Sequence, residues 1–341
     1  MPNLTKRRVS EAQDLEESYR LADIVKQRQK TLAALKLKAG ELVLDIGCGV
    51  GFLTHEMALQ VGKSGKVIGL DKNPEMISHA RKRCESLQQT EFYKGDAGKL
   101  PVDDQTLDAV SCTQVLLYVK DVPNVLAEMR RILKPGGRLV IVETDWRGVV
   151  LNNTDDSMTN NIFSAWDNSV PSPNLPVHLK PLLQKHGFSK IKVDPIPILN
   201  TEYSPSNFSH GMLKWISKNA ENKGVINKEQ RSNWLEDLQN RGQSDSFFFC
   251  VNCLAKLGLT LASRVLPLGR PLTKNLFIFL IARCACHKDN AGFVFGSRNS
   301  PAEYKNEKRY PHGNPLRRRM NHSATRQTNA NRKMGPWCQS G

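Results

Sequence analysis

Between residues 41 and 144, short continuous apolar runs alternate with stretches in which apolar positions recur every three or four residues. The runs at 41–46, 66–70, 91–94, 107–112 and 138–143 read as strands buried on both faces, and 52–61, 73–85 and 122–133 read as helices. Asn73 followed by Pro74 supplies a cap and a first-turn proline, and Lys134-Pro135-Gly136-Gly137 supplies a turn. Strands and helices taking turns imply a parallel sheet covered on both sides.

Outside this stretch the pattern loosens. Residues 10–37 are helical and amphipathic, and are expected to pack across the sheet or over its ligand cleft. Residues 179–186, with Pro181 in the first turn and Gly187 as the stop, read as a helix; 188–193 read as a sixth strand, 206–219 and 228–240 as two more helices, and 247–251 as the start of a last strand. The connection between the sixth and last strands is too long for an ordinary loop, so it is expected to form a small helical cap over the active site. The expected organisation is a helical segment at 1–37, an α/β core at 38–195, the cap at 196–246, the last strand at 247–283 and a basic tail at 284–341.

Composition narrows the function classes. The 341 residues are 39% hydrophobic, which suits a packed core, and no uncharged apolar run approaches the length of a membrane-spanning helix. The first residues are charged and do not read as a secretory signal, so a cytosolic location is expected, with a peripheral membrane contact left open. Eight cysteines in a chain of this length read as free thiols. Of the net charge of +16, residues 254–341 carry +13. The last fifty residues lack apolar periodicity, contain the run Arg317, Arg318, Arg319 and read as a disordered, solvated tail, through which nucleic-acid or membrane contact stays open. The chemistry must come from the first 253 residues.

The most informative segment is Asp45-Ile46-Gly47-Cys48-Gly49-Val50-Gly51, at the end of the first strand and opening a helix. Glycines there permit a sharp turn and close approach of a ligand to the backbone, and the helix start offers free N–H groups. The G-x-G-x-G spacing differs from the G-x-G-x-x-G of a dinucleotide loop, and Asp45 would repel a pyrophosphate but hold an ammonium. Asp71, 20 residues beyond Gly51, ends the second strand, where a carboxylate can accept from both hydroxyls of a ribose. Asp96, in Gly95-Asp96-Ala97 after the third strand, could accept from an adenine amino group, with Met76 and Ala97 as apolar walls. Three acids at successive strand ends match an amino acid, a sugar and a base.

These pieces, together with Leu107-Asp108-Ala109-Val110 and Arg131-Ile132-Leu133-Lys134-Pro135-Gly136-Gly137, resemble the class I S-adenosylmethionine-dependent methyltransferases, most closely the branch with ubiquinone and menaquinone C-methyltransferases. The resemblance spans about residues 38–145 and is specific for the cofactor rather than the acceptor. It implies a Rossmann-like α/β fold with a seven-stranded sheet, mostly parallel with an antiparallel last strand and helices on both faces. It also implies S-adenosylmethionine as cofactor, held by Asp45, Gly47, Gly49, Gly51, Asp71, Met76, Asp96, Ala97 and Gln114, with Thr113 and Val115 beside the methionine part.

Methyl transfer from a sulfonium is an in-line displacement, for which the protein mainly positions the partners. Where a base is needed, Tyr118, Asp145 and His210 are the candidates, with Glu143, Trp146 and Tyr203 nearby in sequence. The fourth strand is followed by Thr113-Gln114-Val115-Leu116, with neither an Asn/Asp-Pro-Pro-aromatic element nor a Pro-Cys pair, which favours a small or lipophilic, quinone-like acceptor over nucleic acid. Cys250, Cys253, Cys284, Cys286 and His287 could supply zinc ligands, but their spacing is irregular and no metal is expected. The apolar run at 276–282 would extend the strand begun at 246–252, so 253–275 reads as an insertion. Two other functions stay open: an NAD-dependent oxidoreductase, and an RNA-binding protein that keeps the fold without turnover.

Overall fold

A computed structural model describes residues 11–260. Its elements run α1 (Glu11–Arg20), α2 (Ala22–Leu35), β1 (Leu42–Ile46), α3 (Phe52–Val61), β2 (Lys66–Asp71), α4 (Pro74–Arg83), β3 (Thr90–Lys94), β4 (Leu107–Thr113), α5 (Val122–Ile132) and β5 (Leu133–Thr144). They continue with β6 (Val150–Leu151), α6 (Asp156–Asp167), α7 (Leu175–Lys185), β7 (Phe188–Asn200), α8 (Phe208–Asn222), α9 (Lys228–Gln243) and β8 (Phe249–Thr260).

The strands form one sheet in the order β3-β2-β1-β4-β5-β8-β6, with β7 paired to β8. Pairings from β3 through β5 are parallel, and β8 runs antiparallel to β5, β6 and β7. The sheet has eight strands rather than the seven expected, because the two-residue β6 pairs with the start of β8. Strand order reverses between β1 and β4, which opens a crevice at their carboxyl ends.

Strand residues sort by parity into two buried layers, as the two-residue repeat of a strand requires. Val43, Val67, Ala109, Val140 and Val142 face one layer with Leu35 of α2, Met57 of α3, Ile162 of α6 and Ile216 of α8. Leu44, Ile68, Val110, Leu139 and Ile141 face the other with Leu126 and Met129 of α5 and Leu179 and Leu183 of α7. On α5 the buried set Val122, Val125, Leu126, Met129 and Ile132 follows helical spacing, and the Asp121 side chain caps the helix by accepting from the Asn124 N–H at 3.1 Å.

Four differences from the sequence expectations have physical causes. The helical stretch at the start is broken at Leu21, whose extended backbone (φ −62°, ψ 141°) separates α1 from α2. Pro176, not Pro181, opens α7, whose buried Leu175, Leu179 and Leu183 begin one turn earlier; Pro181 lies inside the helix. β7 runs to Asn200, twice its expected length, through Pro195 and Pro197, which a strand paired on one side only tolerates. β8 is continuous to Thr260, pairing residues 253–259 with β5, so the part of the expected insertion that is described completes the sheet. The apolar run at 276–282, Cys284, Cys286, His287 and the basic tail lie outside the described residues.

Candidate active site

β1 ends at Ile46 and the chain turns into α3 through three glycines with positive φ: Gly47 (+69°), Gly49 (+52°) and Gly51 (+86°). A Cβ at Gly51 would stand 2.8 Å from the Ala80 Cα of α4, and one at Gly47 would overlap a Val115 methyl at 2.2 Å. Glycine is therefore required twice, by conformation and by space. The loop is anchored by Gly47 and Cys48, whose N–H groups both donate to the Leu70 carbonyl at the end of β2.

The carboxylates surround this turn. Asp71 accepts from the Gly49 N–H at 3.0 Å with one oxygen and from the Asn73 N–H at 2.8 Å with the other. Asp45 is only 2% exposed and accepts from the Thr54 hydroxyl at 2.7 Å. Burial pushes its carboxyl up to about 7; the Thr54 hydrogen bond opposes the shift and the charge of Asp71 adds to it. Asp96 is exposed, accepts from the Gly98 N–H and pairs loosely with Lys72 at 3.8 Å. Met76 is buried against Ala12 of α1 and Val50, and Ala97 packs at the edge of the second core layer.

A cavity of about 30 Å³ adjoins Asp45, Gly47, Cys48 and Thr113 and is closed by Tyr19, Ile24, Gln27, Arg28 and Thr31 of α1 and α2. The expected cap, here α8 and α9, contributes none of these lining residues. The N-terminal strap is pinned by charge: Glu16 accepts from Arg83 at 2.7 Å and from Arg20 at 3.0 Å, and its hydrogen bond with Arg83 is the main reason its carboxyl is held at about 2. Arg28 donates to Glu56 at 2.7 Å, and Arg83 lies 3.5 Å from the centre of the Phe52 ring. At the far end of α2, Arg138 holds the Leu35 carbonyl at 2.7 Å.

The remaining predicted residues divide. The Thr113 hydroxyl is buried without a hydrogen-bond partner and borders the cavity. Gln114 (φ +58°) turns away from it, donating to Thr144 at 2.8 Å and reaching the Cys253 thiol at 3.7 Å, so its side chain ties β4 to β5 and β8 instead of lining the pocket. Tyr118 is exposed, and Asp145, just past β5, has one buried oxygen without a partner. Glu143 accepts from the Val115 and Leu116 N–H groups at 2.9 and 2.7 Å; burial pushes it up to about 8 despite these bonds, and its role is to hold the loop after β4. His210 and Tyr203 line a separate cavity that shares no lining residue with the first, their rings 4.8 Å apart and tilted by 55°. His210 thus borders a different cavity from the one beside Asp45. Gln27 and the strap's Tyr19 were missed; their only sequence signal is a helical repeat that also suits plain packing. Cys253 sits buried against Gln27 (2.9 Å) and Thr144 (3.2 Å), and among the described residues no group of three His, Cys, Asp or Glu is placed to hold a metal.

A glycine turn bracketed by a buried carboxylate and a second acid that fixes its backbone is the arrangement expected of the family that the motifs resemble. Residues 37–187 match the methyltransferase domain family. That span is a methyltransferase domain. An uncharacterized 37.1 kDa protein in a transposon of Streptomyces fradiae is 43% identical over 124 residues, 36% of this chain and 36% of that one. A demethylmenaquinone methyltransferase of Lactobacillus johnsonii is 46% identical over 120 residues, 34% of this chain and 49% of that one. The chain thus spans half or less of the length of these relatives. Among solved structures, the YcgJ protein of Bacillus subtilis superposes with a TM-score of 0.48 at 18% identity, over 69% of this chain and 98% of that one.

Proposed function

We propose that the chain transfers a methyl group from S-adenosylmethionine to a small, lipophilic acceptor at the carboxyl ends of β1, β2 and β4. The observation that carries this reading is Asp71, ordered by two backbone N–H groups at the rim of a glycine turn that leaves no room for side chains. Each oxygen keeps a lone pair for a ribose hydroxyl. Asp45 is suited to an ammonium, and the unpartnered Thr113 hydroxyl to a polar atom of the bound amino acid. Met76 and Ala97 would flank the adenine, with Asp96 accepting from its amino group.

When bound, the cofactor supplies a methyl group already activated by positive sulfur. The residues of this chain bind, orient and exclude water. The turn at Gly47–Gly51 brings the backbone to the ligand, and Glu143 fixes the loop from Thr113 to Leu116 opposite it. A space of about 30 Å³ is roughly one water's share of liquid volume, so binding requires Tyr19 and its neighbours in α1 to swing outward. Reclosing would leave the reacting groups dry. Asp145, with a buried unpartnered oxygen at the end of β5, is one candidate to take a proton from an acceptor that carries one.

A quinone-like acceptor is favoured by the named activity of the Lactobacillus johnsonii relative and by the lack of a nucleic-acid amino-methyltransferase element after β4. No helix among the described residues is long and apolar enough to cross a membrane. The test is incubation of the protein with methyl-labelled cofactor and separate lipid and aqueous extracts. Label in a lipid-extractable ring compound supports the reading, and label in RNA alone overturns it.

A further inference from the structure

We propose that the cavity between the β7–α8 connection and α9 binds a small organic anion carrying an aromatic or apolar body. It encloses about 300 Å³ and is lined by Tyr203, Pro205, His210, Lys214, Leu235 and Gln239. That is about ten times the space beside Asp45, and it sits at the low end of the range of roughly 300–1,000 Å³ for small-molecule pockets, which suits a single ring better than a nucleotide.

The cavity is built rather than accidental. The Tyr203 ring is held between His210, 4.8 Å away, and buried Phe247, 5.2 Å away. From behind, the Gly242 backbone approaches so closely that a Cβ there would stand 2.8 Å from the Tyr203 Cβ. So fixed, the phenol hydroxyl is buried and has no hydrogen-bond partner in the protein.

The one charged side chain in its lining is a cation. No carboxylate lines the cavity. Lys214 is exposed at its edge, one turn of α8 beyond His210. The acid on the same helix, Glu221, is engaged by Lys218 at 2.7 Å and by Arg231 at 3.6 Å. Burial and the Lys214 charge together lower the His210 pKa, so the imidazole stands neutral at pH 7 and an arriving anion would raise it. The Lys214 ammonium and the Gln239 carboxamide can approach an anionic head, while Pro205, Leu235 and the two rings take the apolar body.

This proposal is independent of methyl transfer. Its test uses the full chain with labelled histidine, the His210 resonance being identified by its loss in His210→Asn, titrated with phenyl phosphate, phenol and inorganic phosphate. Saturable movement of the His210 signal by phenyl phosphate at millimolar concentration is expected, with an upward shift of its titration midpoint. Phenol and inorganic phosphate are each expected to bind about tenfold more weakly, as loss of one charge-assisted contact or of the buried ring predicts. Lys214→Gln, a change at an exposed position that should leave the melting temperature unchanged, is expected to weaken phenyl phosphate about tenfold. No saturable shift, equal binding of phenol, equal binding of inorganic phosphate, or an unaltered affinity in Lys214→Gln would each overturn it.

Discussion

Two cavities among the described residues invert the usual relation between chemistry and space. The one beside Asp45 is bordered by the glycine turn and holds only about 30 Å³, whereas the one beside His210 holds about 300 Å³ with no recognisable motif. The difference lies in the N-terminal strap. Tyr19, Gln27 and Arg28 close the space that the proposed cofactor would need; α1 is tied down by ion pairs and a ring contact, whereas α2 reaches the core through Ile24, Gln27, Thr31 and Leu35. On the proposed function, the chemistry of the lining and not the volume marks the methyl-transfer site.

The largest expected effect falls on Asp71. Replacing it with Ala frees the Gly49 and Asn73 N–H groups and, on the proposed function, would remove the acceptor for two ribose hydroxyls, so it should weaken S-adenosylhomocysteine binding by roughly 100-fold or more. Isothermal calorimetry checks this, and an unchanged affinity would place the ligand elsewhere. Next, Gly51→Ala forces a Cβ to within 2.8 Å of Ala80 at a φ of +86°, and should cost about 2–3 kcal/mol in denaturant unfolding. By contrast, alanine at Gly211, where a Cβ would meet nothing within 4 Å, should be tolerated.

Asp45 gives a pH signature. Burial raises its folded pKa to about 7, so the folded protein keeps a proton that the unfolded chain releases near 4. Its contribution to stability is fully present below pH of about 4 and is lost as pH rises through about 7. Wild type should therefore lose stability relative to Asp45→Asn across that window, measured by denaturation at several pH values. Pairing with an ammonium needs the ionised form, so S-adenosylhomocysteine affinity should rise by up to about tenfold per pH unit below 7 and flatten in Asp45→Asn.

The strap contributes a smaller effect. Glu16→Gln weakens the link from α1 to Arg83 and should speed association of the cofactor analogue about three- to tenfold in stopped-flow fluorescence, with little change in melting temperature, because partly exposed ion pairs contribute little to stability. If the rate stays the same, the strap is not what closes the pocket.

These contrasts follow what the chain made readable. From β1 to β5 the strands other than the edge strand β3 are largely buried, so their apolar runs, the helical periodicity and the cap at Asn73 marked the elements closely. Past Thr144 the signals conflict. β7 carries two prolines on an edge, α6 begins in a polar stretch with few apolar positions, and β6 is two residues long. The acids Asp45 and Asp71 were legible because glycines framed them. The strap was legible as a helix but not in its bend at Leu21, and the orientation of Gln114 depended on partners at Thr144 and Cys253 that are distant in sequence.

Calorimetric titration of wild type and Asp71→Ala with S-adenosylhomocysteine and with NAD tests the central assignment most directly. The account predicts saturable binding of S-adenosylhomocysteine to wild type, its near loss in the variant and no heat from NAD. Binding of NAD with none of S-adenosylhomocysteine would contradict it.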